Sequence, residues 1–255
     1  MSAPLVARVV PRASLDEVRR REMLGLMHLC YEGVSASRFG ADLDAKQFVI
    51  LLFARASGDL VGFSTLRLTP ERLEGRAVDV VYSGDTVIHP DHWGSKTLQA
   101  AFGRFLFARK LHRPWRPCLW LLLSGGYKTY LMMVNHFPRS FPSRRYDATP
   151  ERRRFLHDLA TRWFGDQYDA ARGVVRFSAD HYRVRSNVVQ VDPETARVPD
   201  VAFFLARNPG HAVGDELACL CEIGLRDLGR ELVRIALQQA GMRAKPQRAR
   251  AEVHT

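Results

Sequence analysis

The chain lacks several of the sequence signatures by which many proteins are assigned to a functional class. It has only four cysteines among 255 residues, with no CxxC pair and no histidine at ligand spacing, so we expect neither a metal site nor a disulfide framework. Its longest uncharged stretch, residues 117–127, is well short of the roughly 18 apolar residues that span a bilayer. The apolar run at the amino terminus is interrupted by Arg8 and is too short for a signal-peptide core. We therefore expect a soluble protein of the reducing cytoplasm, without a transmembrane segment.

Two catalytic signatures are also missing. The chain contains no Gly-x-Ser-x-Gly elbow and no cysteine-centred triad, so catalysis through a covalent intermediate is not expected. The GSKT sequence at residues 94–97 lacks the GxxxxGK[ST] spacing of a nucleotide triphosphatase loop. If the protein is an enzyme, the sequence favours direct transfer between two bound substrates.

Acidic side chains are in deficit. The chain has 38 lysines and arginines against 27 acidic residues, which gives a formal net charge of +11. A positive field of this kind attracts nucleic acid, an anionic membrane, an acidic protein or a phosphorylated ligand. The arginines cluster at residues 104–116 and 139–154, but no stacking aromatic motif or recognition helix accompanies them. Nucleic acid is therefore a weaker alternative than an acidic protein or a phosphorylated ligand.

Hydrophobic periodicity predicts an α/β (α+β) fold with a mixed, mostly antiparallel sheet flanked by helices. Up to about residue 140 the predicted order is strand, helix, three meandering strands, helix, strand, helix. Beyond it we predict a carboxy-terminal α/β extension over residues 141–242 and a disordered basic tail at 243–255. The predicted strands lie at 4–10, 47–56, 60–68, 78–89, 117–124, 174–177 and 201–207, and the predicted helices at 14–31, 93–110, 126–137, 149–172 and 215–240, with 34–46 and 70–77 as connections.

The stretch SGDTVIHPDHWGSKTL, residues 83–98, carries the clearest functional signal. Gly84 lies inside a predicted strand, where it indicates a β-bulge or a close approach of the backbone to a ligand. Gly94 lies where the next helix begins, and a small residue there lets a phosphate reach the free backbone N–H groups. The alternative reading of Gly94 is that it merely relieves a tight turn.

This element order, together with VIHPDHWGSKTL at residues 87–98, resembles the GNAT acyltransferase superfamily. Val87, Pro90 and Gly94 match its phosphate-binding pattern V-x-P-x-Y-R-G-x-G-x-G/A. The resemblance covers roughly residues 5–140, so we predict a GNAT-like acyl-thioester-binding domain at 1–140, with 141–242 as a lid, an acceptor site or a dimer element. It implies that the pantetheine arm of the donor enters a gap between the fourth and fifth strands. The donor-binding residues that it implies are Val87, His92, Trp93, Gly94, Ser95, Lys96 and Thr97.

The pattern departs from the family at two positions. Trp93 stands where arginine or lysine is usual, and Lys96 stands where a second glycine is usual. We predict acyl-CoA or an acyl-phosphopantetheine as the donor. Both departures weaken the cradle for the diphosphate of coenzyme A and so favour phosphopantetheine, which carries one phosphate. An acyl carrier protein is acidic and would be attracted by a basic surface. The long-chain N-acyl amino acid synthases, a branch that uses such carriers, are similar in having extra carboxy-terminal elements.

Acyl transfer to an amine needs a base, polarisation of the carbonyl group and a proton for the leaving thiolate. Strand alternation places Ser83, Asp85, Val87 and His89 on one face, and Asp85 follows the suspected bulge, so we predict it as the base or as the anchor of the acceptor amine. His89 and His92 are alternative bases, because an imidazole titrates near neutral pH.

The proton donor is predicted from the resemblance. A tyrosine on the helix after the fifth strand commonly protonates the thiolate in this superfamily, and Tyr127 and Tyr130 both lie on that helix. We choose Tyr130. The competing interpretations are structural: a capping role for Asp85, a surface role for the histidines, and an aromatic ring packed under the sheet for Tyr130.

The predicted function is therefore an N-acyltransferase that moves an acyl group from a thioester donor to a small-molecule amine such as an amino acid, by direct attack in a ternary complex. The alternative is a GNAT-like protein that binds an acyl thioester or a metabolite without turnover.

Overall fold

The computed structural model describes residues 4–177, 183–184 and 191–244. The helices are α1 (Glu17–Cys30), α2 (Ala36–Asp44), α3 (Thr97–His112), α4 (Tyr127–His136), α5 (Pro150–Phe164), α6 (Pro193–Ala196), α7 (Pro199–Arg207) and α8 (Leu225–Ala244). The strands are β1 (Leu5–Pro11), β2 (Tyr31–Glu32), β3 (Phe48–Ala54), β4 (Leu60–Leu73), β5 (Arg76–Ile88), β6 (Cys118–Ser124), β7 (Ser140–Phe141), β8 (Tyr168–Asp169), β9 (Val174–Val175), β10 (Arg183–Val184) and β11 (Glu216–Ile223).

Nine of these strands form one sheet, in the order β1-β3-β4-β5-β6-β11-β9-β8, with β7 also paired to β11. Every pairing is antiparallel except that of β5 with β6, which run parallel. The two remaining strands, β2 and β10, pair with each other. The predicted mixed, mostly antiparallel sheet flanked by helices is confirmed. The parallel pair matters most for function, because the chain leaves its carboxyl end twice to form α3 and α4.

Hydrophobic alternation along the strands explains how the helices are distributed. On one face Ile50 and Leu52 pack with α3, and Trp120 and Leu122 pack with α3, α4, α7 and α8. The other face has two separate apolar clusters. Val49 and Leu51 pack with α1 and α2 at one end, whereas Leu119 and Leu121 pack with α5 at the other. Lys46 lies between these two clusters, because it follows α2 and its Nζ is 5.7 Å from the ring centre of Tyr82, which packs against the α5 cluster.

Several predicted elements agree with the structure because their signals are local. The all-apolar run at 118–124 is a strand whose residues are all buried. Thr149 caps α5 by accepting a hydrogen bond from the backbone of Arg152, with Pro150 in the first turn. For α1 the cap differs from the prediction, since Asp16 rather than Ser14 accepts the capping bond, from the backbone N–H of Arg19.

Four predictions of secondary structure are wrong. The predicted connection at 34–46 contains helix α2, capped by Ser35. The predicted turn at 70–77 is mostly strand, because β4 and β5 continue to a tight turn at Glu74 and Gly75. The predicted strand at 201–207 belongs to α7, and the predicted helix at 215–240 is divided into β11 and α8. In this last segment the apolar residues satisfy both periodicities, and burial in the sheet decides between them.

The segment at 141–242 is built into the same sheet as the segment before it. Strand β11 pairs along its length with β6, from Leu217 opposite Ser124 to Ile223 opposite Cys118. Most of the predicted tail at 243–255 lies outside the described residues, and α8 extends to Ala244. Within the described ranges, none of the helices has the length and apolar composition needed to cross a bilayer.

Candidate active site

A β-bulge in β5 forms the centre of the candidate site. Ser64 pairs with Thr86 and Leu66 pairs with Ser83, so Thr65 of β4 lies opposite both Gly84 and Asp85. The bulge predicted at Gly84 is confirmed. Pairing of β5 with β6 ends at the same level, because Ser83 opposite Leu122 is the last matched pair. The carboxyl ends of the two parallel strands therefore separate directly after the bulge.

The bulge changes which side chains share a face. Ser83 accepts a hydrogen bond from Trp120 Nε1 (2.9 Å) on the α3 face. Thr86 lies on that face too, because its hydroxyl bonds to that of Ser64 (2.8 Å), whereas Val87 packs with α1 and α2 on the opposite face. The prediction that Ser83 and Val87 share a face is wrong, since one extra residue shifts the alternation.

Lys46 fills the space that the bulge leaves. It follows α2, its side chain is only 9% exposed, and its Nζ donates to the backbone oxygen of Asp42 (2.9 Å). A Cβ on Gly84 would lie 2.6 Å from Thr65 Oγ1 and 2.8 Å from Lys46 Cε. Glycine is therefore required there by lack of room, because the φ angle of Gly84 is not among the positive values that glycine alone adopts easily. Burial lowers the pKa of Lys46, and the negative charge of Asp85 opposes that change.

Two carboxylates lie on opposite sides of the gap between the strands. Asp85 projects from the bulge, and Glu216 begins β11, beside Gly125 at the exit of β6, with its Oε1 3.3 Å from the position of a Cβ on that glycine. Burial, together with the nearby negative charge of Asp85, raises the pKa of Glu216 to about 7. A carboxyl group that titrates near neutral pH can accept and return a proton, which is the requirement for a general base.

Tyrosine side chains form the wall beside the carboxylates. Tyr82 of β5 packs edge-on against Trp163 and Phe164 of α5, and Lys46 Nζ lies 5.7 Å from the centre of its ring. Burial first, and then the charges of Glu216 and Asp85, raise the pKa of Tyr82. The pKa of Tyr31 is raised in the same way, by burial and by Asp85 and Glu216. Both phenols therefore stay protonated at neutral pH and can donate hydrogen bonds.

The predicted donor-binding loop leads from β5 to α3. The helix begins at Thr97 rather than at the predicted Trp93, because a short 3-10 turn at Pro90–His92 comes first. Gly94 has φ +85°, and apart from its two neighbours in the chain no residue has an atom within 4 Å of the position of its missing Cβ. Lys96 occupies the cap position of α3 without a side-chain capping bond. The loop is therefore open where a ligand phosphate would approach the helix.

The other predicted loop residues make local bonds. Ser95 and Thr97 are joined through their hydroxyl groups (3.0 Å), and the backbone of Thr97 donates to Ser95. Trp93 is 54% exposed and donates from its ring to the oxygen of Ile88 (2.8 Å). Val87, in contrast, is buried in the α1 and α2 cluster, so of the predicted donor-binding residues it is the one that belongs to the core.

The two predicted histidines serve the turn between β5 and α3. His89 precedes the 3-10 turn, and its Nδ1 accepts from the backbone of Asp91 (3.3 Å). The ring of His92 lies edge-on to that of His89, at 6.1 Å between centres. A role of either histidine as a base stays a prediction. Neither is among the charges that affect the pKa of Glu216.

Tyr130 lies in the core and not in the gap between the strands. Its side chain has no exposed surface, its hydroxyl donates to the oxygen of Pro142 (3.1 Å), and its ring packs against Phe203 and Phe204 of α7. The sequence pattern could not reveal this, because α7 was predicted as a strand. Tyr127, the alternative, packs at the edge of the same cluster.

Sequence reasoning missed Lys46 and Glu216. Lys46 lay in a segment predicted as a connection, and Glu216 lay in a segment predicted as helix. The one available signal was composition, since Lys46 is one of only five lysines in an arginine-rich chain. Within the residues that the structure describes, no group of three or more potential metal ligands comes together.

No protein-family model and no curated protein matches this chain. Solved structures are similar to about half of it. One is a probable N-acyltransferase from Enterococcus faecalis V583, with 15% identity and a TM-score of 0.39 over 51% of this chain and 32% of that one. A second is an acetyltransferase from Trypanosoma brucei, with 20% identity and a TM-score of 0.37 over 57% of this chain and 96% of that one. A third is an acyl-CoA N-acyltransferase from Pseudomonas aeruginosa, with 19% identity and a TM-score of 0.35 over 46% of this chain and 79% of that one. This chain thus spans about a third of the length of the Enterococcus protein.

Proposed function

We propose that the protein is an N-acyltransferase of the GNAT type, which moves an acyl group from a thioester to an amine. The observation that carries the proposal is the bulge at Gly84 and Asp85, where β5 and β6 separate with a carboxylate on each side of the gap. The pantetheine arm that carries the thioester is long and narrow, and such a gap admits it from the edge of the sheet. The titrating carboxyl of Glu216 would then lie next to the reacting carbonyl.

The donor's phosphate binds, in this proposal, at the loop of His92 to Thr97. The open side of Gly94 and the charge of Lys96 support this placement. Of the two donors that the sequence leaves open, we propose an acyl carrier protein, with acyl-CoA as the alternative. Its support is the outer surface of α3, where Arg104 and Arg109 are exposed and form no ion pair with any carboxylate in the described ranges. By contrast, Arg144 and Arg145 of the second basic cluster are paired with Asp200.

The chemistry proceeds by direct attack. The acceptor ammonium loses one proton to Glu216, and the neutral nitrogen attacks the carbonyl carbon as the carbon–sulfur bond breaks. The departing sulfur takes a proton from an acid, and that acid regains it as the nitrogen gives up its second proton. We propose Tyr82 instead of Tyr130 as the donor of that proton, because it lies one residue before the point where β5 and β6 separate. Asp85 holds the incoming ammonium. The rate enhancement required of Glu216 is modest, since a positioned base typically contributes about 10²- to 10⁴-fold in rate.

The test is a transfer assay with two donor sets. The purified protein is incubated with pooled acyl-CoAs and, separately, with acyl carrier protein thioesters, each with an amino-acid mixture, and mass spectrometry follows loss of thioester and formation of amide. Product from the carrier alone supports the carrier-dependent enzyme, and product from coenzyme A alone returns the donor to the ordinary GNAT type. Absence of product from both would contradict the proposal and favour a protein that binds a thioester without turnover. A cytoplasmic location is part of the same proposal.

A further inference from the structure

Arg67 is a half-buried cation beside the candidate site. It lies on β4, directly opposite Tyr82 of β5, and its guanidinium stacks on the ring of Trp163, 4.2 Å from the ring centre. Burial is the main cause of the lowered pKa of Lys46 and of the raised pKa of Tyr82, and the positive charge of Arg67 acts on both in the lowering direction. Arg67 is therefore within electrostatic range of two residues that surround Asp85.

The guanidinium has no carboxylate partner in the part of the chain that the structure describes. This separates it from the arginines nearby, since Arg162 pairs with Glu71 (2.9 Å) and Arg116 with Asp79 (2.8 Å). Lys46 is not equivalent either, because its ammonium already donates to the oxygen of Asp42. Stacking on Trp163 holds the plane of the guanidinium and leaves its N–H groups at the edge for another acceptor.

The charges around the bulge thus have two poles. Asp85 and Glu216 form the negative pole, where Lys46 already interacts with Asp85, and Arg67 forms a separate positive pole on the α5 side of Tyr82. A substrate that carried only an ammonium group would leave the positive pole without a partner. A substrate with an ammonium at one end and an oxyanion at the other would place its two charges next to both poles.

We infer that Arg67, oriented by Trp163, binds an oxyanion group of the acceptor amine, either a carboxylate or a phosphate. Arg67 is then a specificity-determining residue, and the acceptor is a zwitterion instead of a simple amine. This inference rests on the proposed function for the identity of the ligand as an acceptor. The planar fork of arginine suits both oxyanions, because each offers two oxygens to parallel N–H donors.

The experiment measures binding, so that it does not depend on turnover. Three probes of matched shape are titrated by calorimetry into the full chain: alanine, alaninamide and 1-aminoethylphosphonate. They differ only in whether the amine carries a carboxylate, a neutral amide or a phosphate-like group. We expect at least one of the two anionic probes to bind about 10- to 100-fold more tightly than alaninamide, as for charge-assisted hydrogen bonds.

Three variants test the assignment to Arg67. Arg67→Gln should remove the preference, and Arg67→Lys should restore part of it by keeping the charge without the fork. Arg8→Gln is the matched control, because Arg8 also lies over an aromatic ring, that of Phe53 (5.4 Å), but on β1 at the sheet edge. Thermal unfolding of each variant separates loss of the stacking contact from loss of the ligand contact.

The outcomes separate this inference from the proposed function. Anion-dependent binding that is lost in Arg67→Gln supports the inference even if no thioester is consumed, in which case only the proposed function fails. If amide is formed with the same acceptor KM in wild type and Arg67→Gln, the inference fails and the proposed function stands. Binding of alaninamide as tightly as the anionic probes, or binding of none of the three, also overturns the inference.

Discussion

The bulge of β5 and the loop that follows it both contain a glycine, for opposite reasons. Gly84 is surrounded, so that a methyl group there would collide with Thr65 and Lys46. Gly94 is open on the side of its missing Cβ, and what it supplies is a positive φ angle. The bulge is a packed, charged region with perturbed pKa values, whereas the loop is exposed and held by local hydrogen bonds. We infer that catalysis depends on the bulge and donor binding on the loop.

The largest expected effect is on the rate, from Glu216→Gln. This change keeps the shape and removes the base, so we expect kcat to fall by about 10²- to 10⁴-fold, with little change in the KM for the donor. Steady-state kinetics of amide formation measures it. Glu222→Gln is the matched control on the same strand, because Glu222 is ion-paired with Arg139 and Arg152 away from the gap. Equal loss of rate in the two variants would contradict a catalytic role for Glu216.

The next effect is a pH-dependent difference in stability. Burial raises the pKa of Glu216 from 4.5 to about 7, so the folded protein binds this proton more tightly than the unfolded chain does. The stabilisation from protonated Glu216 is complete below pH 4.5 and is lost as the pH rises to about 7. The free energy of unfolding falls by about 3 kcal/mol at most over this range. Above pH 7 the contribution is constant. Urea unfolding of wild type and Glu216→Gln at pH 5 and pH 8 should show the variant gaining stability over wild type at pH 8.

A gain of the same size at both pH values would mean that Glu216 does not titrate between them. That result would also remove the reason for choosing it as the base, because a carboxyl with an ordinary pKa is a weaker proton acceptor near neutral pH. The comparison of variant with wild type cancels the other groups that titrate in this range.

The smallest expected effects come from replacing Gly84 and Gly94 with alanine, one at a time. Gly84→Ala inserts a methyl group into a filled space and should lower the free energy of unfolding by about 1–3 kcal/mol, with a loss of kcat because Lys46 must move. Gly94→Ala meets no atom and should cost about 1 kcal/mol for its positive φ angle. Its kinetic effect should be confined to the KM for the donor. Denaturant unfolding and steady-state kinetics of both variants are the measurements, and the reverse order of effects would refute the division of roles.

Local patterns predicted the parts of the site that depend on neighbours in sequence. The bulge at Gly84 was predicted from a glycine inside a β-branched run, and β6 was predicted from seven consecutive residues that the structure buries. The cap of α5 by Thr149 was predicted from the residue that precedes Pro150. In each case the deciding interactions lie within a few residues, so the sequence contains them directly.

The positions of the charged groups could not be predicted in this way. Counting alternate residues along β5 placed Ser83 with Val87, and the pairing with β4 separates them by adding one residue at the bulge. Tyr130 was chosen for its place on α4, but α7 covers it and takes it out of reach of a substrate. Neither result can be read from a single segment, since each depends on a partner distant in the chain.

The sequence by itself determined the strand that carries the bulge, the buried parallel strand beside it and the helices that leave both. Only the tertiary structure decided that Lys46, Asp85 and Glu216 lie around one gap, because Glu216 reaches it through a strand added to the sheet some 90 residues after β6. The apolar residues of that strand fit a helix or a strand equally well, and burial between β6 and its other neighbours selects the strand. The same burial raises the pKa of Glu216, so the packing that chose the secondary structure also produced the candidate base.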